Sequence, residues 1–297
     1  MSHALALLNT VLAVVAAAFV AFWVRRIRAQ GEPFRWPPKV HLAIGALTDF
    51  FDTLGVGSFA TTTSLYKLGR LVPDEKIPGT LNVGHTVPTF AEAFIFILVV
   101  EVDVTTLALM ISASVAGAWL GAGFVSRWPR RRIQIGMGLL LLVAAAIMVA
   151  RVTKLVPGGG DALALAGGPL ALGLAGNFML GALMTLGIGL YAPCMILVAM
   201  LGMNDRVAFP IMMGSCAFLM PAASVRFIRS GRYDLPAALG LTLAGTPAAL
   251  VAGLIVKSLP LTAVKWLVVG VVVYTAVAML RSAARNRATP DAEVSRG

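Results

Sequence analysis

Four ionisable residues stand inside long apolar stretches: Asp49, Asp52, His85 and Glu92. Asp49 and Asp52 are three apart and His85 and Glu92 seven apart, so on helices each pair shares a face. A charge at the centre of a bilayer costs about 3 kcal/mol or more, so such groups must face a cavity or one another. The chemistry they offer is proton exchange, because burial favours a neutral acid and histidine titrates near neutrality. A plainer role is equally open from the residues alone: the carboxylates can cap helix N-termini or pair with His85.

A five-residue phrase recurs beside them. Thr53-Leu54-Gly55-Val56-Gly57 and Thr185-Leu186-Gly187-Ile188-Gly189 differ only at a Val/Ile position and lie 132 residues apart. Glycine pairs interrupt helices, and a broken helix at membrane depth is tolerated only where protein buries it or it lines a cavity. Each break frees backbone N–H groups at the start of a second half-helix, which carries partial positive charge. Two such termini make an anion site without a membrane-buried arginine. The candidate binding residues are therefore Gly55, Gly57, Ser58 and Thr61 at the first break, and Gly187, Gly189, Tyr191 and Cys194 at the second. Asn82, beside Pro78-Gly79-Thr80, adds an amide that can serve a ligand or an interhelical hydrogen bond. Small residues also serve plain helix packing. Two matched copies flanked by polar side chains favour a site.

The elements that position these residues are membrane helices. The chain is 59% hydrophobic and 12% charged, with a mean hydropathy of +0.88; soluble domains carry about 25% charged residues. Apolar runs long enough to span recur at 4–24, 80–100, 104–125, 133–150, 208–228, 235–256 and 264–281. No Lys or Arg precedes the first run, and Arg25, Arg26 and Arg28 follow it, which argues for a retained helix with its N-terminus outside. The two cysteines, Cys194 and Cys216, imply neither a disulfide framework nor a thiolate metal site. The net charge of +11 sets membrane orientation rather than nucleic-acid binding, as its distribution shows.

Residues 40–66 and 172–200 are each either one span or a re-entrant hairpin broken at the glycines. With hairpins, 19 of the 24 Lys and Arg fall on the cytoplasmic side; with full spans only 14 do, and Arg127, Arg130, Arg131 and Arg132 lie outside. The positive-inside rule selects the hairpins. The expected fold is all-α and integral to the membrane: seven spanning helices plus two re-entrant hairpins, N-out and C-in, in two inverted repeats. Pro78 and Pro210 share the 132-residue offset, while Asp103 and Asp234, and Pro129 and Pro260, are 131 apart. The expected boundaries are an N-terminal helix and basic loop at 1–39, repeat one at 40–150, a linker at 151–171, repeat two at 172–282 and a basic tail at 283–297. In repeat two the positions matching Asp49, Asp52, His85 and Glu92 are Gly181, Met184, Ala217 and Ser224, so the ionisable set belongs to one half.

These features together resemble the TauE/SafE family of sulfite exporters, built of two repeats that each open on a glycine-rich segment inside an apolar helix. Gly55-Val56-Gly57-Ser58-Phe59 and Gly187-Ile188-Gly189-Leu190-Tyr191 are similar to those segments. Pro78-Gly79-Thr80 looks like the element that follows. Ser230-Gly231-Arg232-Tyr233-Asp234 and the shorter Glu101-Val102-Asp103 resemble the family's Gly-x-[VI]-Asp turn, and Ser126-Arg127-Trp128-Pro129 and Lys257-Ser258-Leu259-Pro260 its Ser-Arg-Leu-Pro turn. The resemblance covers about residues 40–282. Both segments lack the family's third and fourth glycines, and Asp49 and Asp52 lie outside the family's general pattern.

The resemblance implies a secondary transporter, not an enzyme: an exporter of sulfite or an organosulfonate working by alternating access in a bacterial inner membrane, with no cofactor. The expected partners are a small anion and the lipid bilayer, and no nucleic acid. The small residues Ala116, Gly117, Gly121 and Gly123 suit either a homodimer contact or packing within one subunit. Proton coupling would fall to Asp49, Asp52, His85 and Glu92. Two other classes compete. A metal or cation carrier would use the same four residues as ligands, although nothing enforces ligand spacing. An intramembrane lipid-phosphate enzyme would need a buried Arg or a Ser/His cluster, and the apolar segments hold no central Arg or Lys.

Overall fold

A computed structural model describes residues 3–29, 36–121, 130–153, 155, 160–184, 190–258 and 260–285. Eleven α-helices lie among them: α1 (His3–Ala29), α2 (Lys39–Thr53), α3 (Ser58–Gly69), α4 (Ile77–Val99), α5 (Val104–Ala116), α6 (Arg130–Val152), α7 (Gly167–Met184), α8 (Tyr191–Met200), α9 (Ala208–Ser230), α10 (Leu235–Ser258) and α11 (Leu261–Arg285). A π-helical turn, Gly117–Gly121, extends α5, and a 3-10 turn, Asp205–Val207, leads into α9. No strand forms among the described residues beyond one isolated bridge, Ala162 with Met203.

Among the described residues seven helices are long and apolar enough to cross a membrane: α1, α4, α6, α7, α9, α10 and α11. Six are the expected ones. The expected span at 104–125 is instead α5 with its π turn, a shorter apolar helix, and residues 122–129 lie outside the described set. The seventh is α7, which the sequence pattern assigns to the second re-entrant hairpin. It runs 18 residues before the glycine segment, about 27 Å at 1.5 Å per residue. By the same rise α2, α3 and α8, with 15, 12 and 10 residues, reach only about 15–23 Å, short of the ~30 Å hydrocarbon core.

The two most buried spans, α4 and α9, pack against each other at the centre. Around them the partners exchange in a regular way. Helix α2 packs on α10 while α7 packs on α5, and α4 packs on α10 while α9 packs on α5; α6 and α11 pair with one another. The matched aspartates do the same local work. Asp103 Oδ1 accepts from Thr106 N at 2.7 Å to cap α5, and Asp234 Oδ1 accepts from Ala237 N at 3.0 Å to cap α10.

Pro88 interrupts α4. A proline in a helix removes the hydrogen bond to the carbonyl four residues earlier, here that of Gly84, and Thr242 Oγ1 of α10 donates to that oxygen at 2.7 Å. Gly45 lets α10 approach, since a Cβ there would lie 2.7 Å from Leu241 Cα. Gly117 packs inside the subunit, against the backbone of Phe178 on α7. The Arg229 guanidinium lies 5.7 Å over the Phe22 ring of α1. His41 is buried with its ring edge-on to Tyr66 at 5.5 Å.

Candidate functional site

The first glycine phrase ends α2 and starts α3. Gly55 N donates to Asp52 O and Val56 N to Phe51 O, the paired closing bonds of a Schellman motif, with Gly55 at φ 95°. Gly57, at φ 85°, then turns the chain into α3. Both conformations are ones that L side chains rarely adopt. The reversal carries Ser58 back to Asp52. Ser58 N donates to Asp52 Oδ1 at 2.7 Å and Ser58 Oγ to Oδ2 at 3.0 Å. The Asp52 carboxylate thus caps α3 across the break.

Asp49, one turn earlier, faces α4. Its Oδ1 lies 2.6 Å from His85 Nδ1, with both side chains fully buried. His85 Nε2 is 3.1 Å from Thr62 Oγ1 of α3, and Phe59 lies against the imidazole, with ring centres 5.9 Å apart. Asp49 Oδ2 has no hydrogen-bond partner; it fits where Gly245 of α10 has no side chain.

Glu92 completes the set. Its Oε2 accepts from Tyr191 OH at 3.2 Å, and its Oε1 lies 2.8 Å from Thr53 Oγ1. Thr53 Oγ1 is also 2.8 Å from Asp49 O. One hydroxyl hydrogen serves one acceptor fully. Both contacts are complete hydrogen bonds only when Glu92 is a neutral acid, donating to Thr53 Oγ1 while Thr53 donates to the Asp49 carbonyl.

A cavity of about 50 Å³ opens beside this network. Its polar lining comprises Asp52, Ser58, Thr89, Tyr191 and Thr275; Met184, Cys216 and Met220 supply sulfur, and Gly57 lies at its wall. Among the described residues, no lining residue is basic.

Of the sequence candidates, Asp49, Asp52, His85, Glu92, Ser58 and Tyr191 form one connected buried neighbourhood, with Gly57 at the wall. Gly55 is occluded, since a Cβ there would overlap Met195 Cε. Cys194 is fully buried in α8 and does not line the cavity. Thr61 Oγ1 is spent on Gly57 O and Ser58 O, and Asn82 on Pro78 O; neither lines the cavity. Gly187 and Gly189, with the rest of Thr185–Gly189, lie outside the described residues. Thr53, Thr89 and Cys216 are site residues that the sequence reading did not single out. Helical spacing could have found Thr89, four residues after His85 and three before Glu92. No three His, Cys, Asp or Glu among the described residues group as metal ligands.

Comparison with known proteins now adds to this geometry. The model of the sulfite exporter TauE/SafE family matches residues 1–148. This chain belongs to the TauE/SafE family. Members of the TauE/SafE family are transporters rather than enzymes, and with its seven long apolar helices this one is a multi-pass membrane protein. The matched half carries Asp49, Asp52, His85 and Glu92; Tyr191 and Cys216 come from beyond it. Neither a curated protein nor a solved structure matches the chain.

Proposed function

We propose that the chain is a secondary transporter that exports a small sulfur-containing anion, sulfite or a short organosulfonate, across a bacterial inner membrane. The observation that carries this reading is the cavity at the break between α2 and α3, beside the central pair α4 and α9. It meets the description of a transporter site built from discontinuous helices. Its volume of about 50 Å³ suits an ion of a few heavy atoms. Hydroxyl groups on one side suit anion oxygens, and the sulfur atoms of Met184, Cys216 and Met220 offer a polarisable wall to a soft anion.

The transport cycle in this reading is alternating access, with repeat one (40–150) rocking against repeat two (172–282) around the cavity. The exchange of packing partners between α2–α6 and α7–α11 supports two repeats, and the Lys and Arg distribution supports their inversion, N-out and C-in. Residues 172–200 are the second broken element, with α7 as its long arm. Asp49, Asp52, His85 and Glu92 carry the coupled proton. A cation carrier is less well supported, because both oxygens of Asp52 and of Glu92 are engaged and Asp49 Oδ2 alone of the three acids' oxygens is without a hydrogen-bond partner.

The test is charge movement in proteoliposomes on a solid-supported membrane, with steps of sulfite, methanesulfonate, sulfoacetate, sulfate, acetate and phosphate. The expected result is a saturable current for sulfite or a sulfonate, none for phosphate, and a weaker response in Gly57→Leu. Because an anion that moves with one proton can carry no net charge, the reading is refuted by silence across the panel together with no uptake of labelled sulfite by the same proteoliposomes of folded protein.

A further inference from the structure

The cavity poses an electrostatic problem for the reading above, and its solution names how the site is regulated. A small anion entering it meets a carboxylate, Asp52, and, among the described residues, no basic side chain on the lining. Three of the four hydroxyl residues on the described lining, all but Thr275, are already committed. Ser58 gives its amide and hydroxyl to Asp52, Tyr191 gives its hydroxyl to Glu92, and Thr89 gives its hydroxyl to His85 O. The start of α3 therefore already holds an anion, and that anion is part of the chain.

The titratable groups that face Asp52 add no fixed cation. Among the described residues they are Asp49 on its own helix, His85 and Glu92 on α4, Tyr191 on α8 and Cys216 on α9. His85, the one group that can become positive, is engaged by Asp49 at 2.6 Å. From α10, Gly245 faces this neighbourhood and carries no charge.

We propose that Asp52 is a built-in competitor for the transported anion, and that the anion takes the Ser58 donors only when Asp52 has taken up a proton and left them. The carboxylate and the anion want the same two donors, and both cannot hold them as anions in contact. Protonation removes the repulsion and turns Asp52 from acceptor to donor, so that its O–H can join Ser58 in holding the anion. One proton then enters with each anion, and the pair moves together. In the empty carrier the same carboxylate satisfies Ser58 and closes the seat. The inference rests on the anion-carrier reading.

The experiment is isothermal titration of purified full-length protein with sulfite, in buffers of different ionisation enthalpy, comparing wild type with Asp52→Asn. Protons exchanged by sulfite itself are common to both proteins and cancel in the difference. At a pH above that at which free Asp52 ionises, where the comparison is made, the expected result is about one more proton taken up per sulfite by the wild type. Above the pH at which free Asp52 ionises, wild-type affinity should also fall about tenfold further per pH unit than that of the variant. Equal proton uptake in the two proteins, with sulfite bound by both, overturns the proposal and leaves the carrier reading standing. No sulfite binding by folded wild type overturns both. An infrared difference spectrum gives a second readout that does not depend on the variant: sulfite should raise a carboxylic-acid carbonyl band in the wild type. Its absence overturns the proposal even where Asp52→Asn fails to fold.

Discussion

Gly245→Ala should reverse its effect on stability according to what stands at position 49. Gly245 lies inside α10, where replacing glycine by alanine ordinarily favours a helix by about 0.8–1 kcal/mol. Here the new Cβ would overlap Asp49 Oδ2 and lie 2.6 Å from its Cγ. The carboxylate has nowhere simple to go, because its other oxygen is held 2.6 Å from His85 Nδ1 in a fully buried pair. Overpacking of this kind costs about 1–3 kcal/mol, and leaving the buried polar groups of the pair unsatisfied about 1–3 kcal/mol. After the helix gain is subtracted, a net loss of about 2 kcal/mol or more is expected. In an Asp49→Ala background the clashing atoms are gone and only the Cβ of residue 49 remains near, 3.1 Å away where Asp49 has it. There Gly245→Ala should be neutral or stabilise by up to about 1 kcal/mol. The coupling between the two sites is then about 3 kcal/mol, the upper end for contacting residues. Reversible unfolding in mixed micelles, titrated with SDS, reads all four corners of the cycle. A loss of equal size in both backgrounds would refute the packing argument.

Glu92→Gln should keep the unfolding midpoint close to wild type, because the amide N–H can donate to Thr53 Oγ1 and its oxygen can accept from Tyr191; Glu92→Ala, which abandons both partners, should cost about 2 kcal/mol in the same titration. Tyr191→Phe removes one hydrogen bond, worth about 1 kcal/mol. In a Cys194→Ala background it should speed labelling of Cys216 by a small thiol reagent about fivefold, and an unchanged rate would show that this contact does not hold the cavity closed.

Much of this arrangement was legible in the sequence, because it rests on local rules. Glycine pairs end helices, so the break at Gly55 and Gly57 was readable, and the equal spacing of Asp103 and Asp234 marked two positions that cap helices alike. Pairing with His85 was among the readable roles, but which acid takes which partner was not. Asp49 and Asp52 share a face, yet one pairs with His85 on α4 and the other with Ser58 on α3. The turn at Gly55–Gly57 reverses the chain between them, and a face rule says nothing about a reversal. Of the two plain roles open to the carboxylates, each aspartate takes one: Asp52 caps a half-helix and Asp49 pairs with His85. The link from Thr242 to Gly84 escaped for the same reason. Pro88 announces a freed carbonyl but not the helix that fills it. Helix α7 was read as part of a hairpin because the Lys and Arg distribution favoured that topology, and its 18 residues are by length and composition also enough to span.

The asymmetry of the two proposed repeats has a packing logic. At the offsets of 132 and 131, Asp49 and Gly245 correspond to Gly181 and Ser114. In the first pair a large acid fits against a glycine; in the second a glycine, Gly181, fits against the backbone oxygen of Ser114. Each seam thus places a side chain on one helix and a hollow on the other, in opposite order. The acids are therefore an elaboration of one seam, not a disturbance of a common core. Their bonds also stay local: Asp52 to Ser58, Asp49 to His85 and Glu92 to Thr53 all lie within residues 40–150. Tyr191 to Glu92 is the acid hydrogen bond that crosses to the other repeat. If one repeat moves against the other, the ionisable set can travel as a unit, and of the bonds these acids make it is the crossing one that must break.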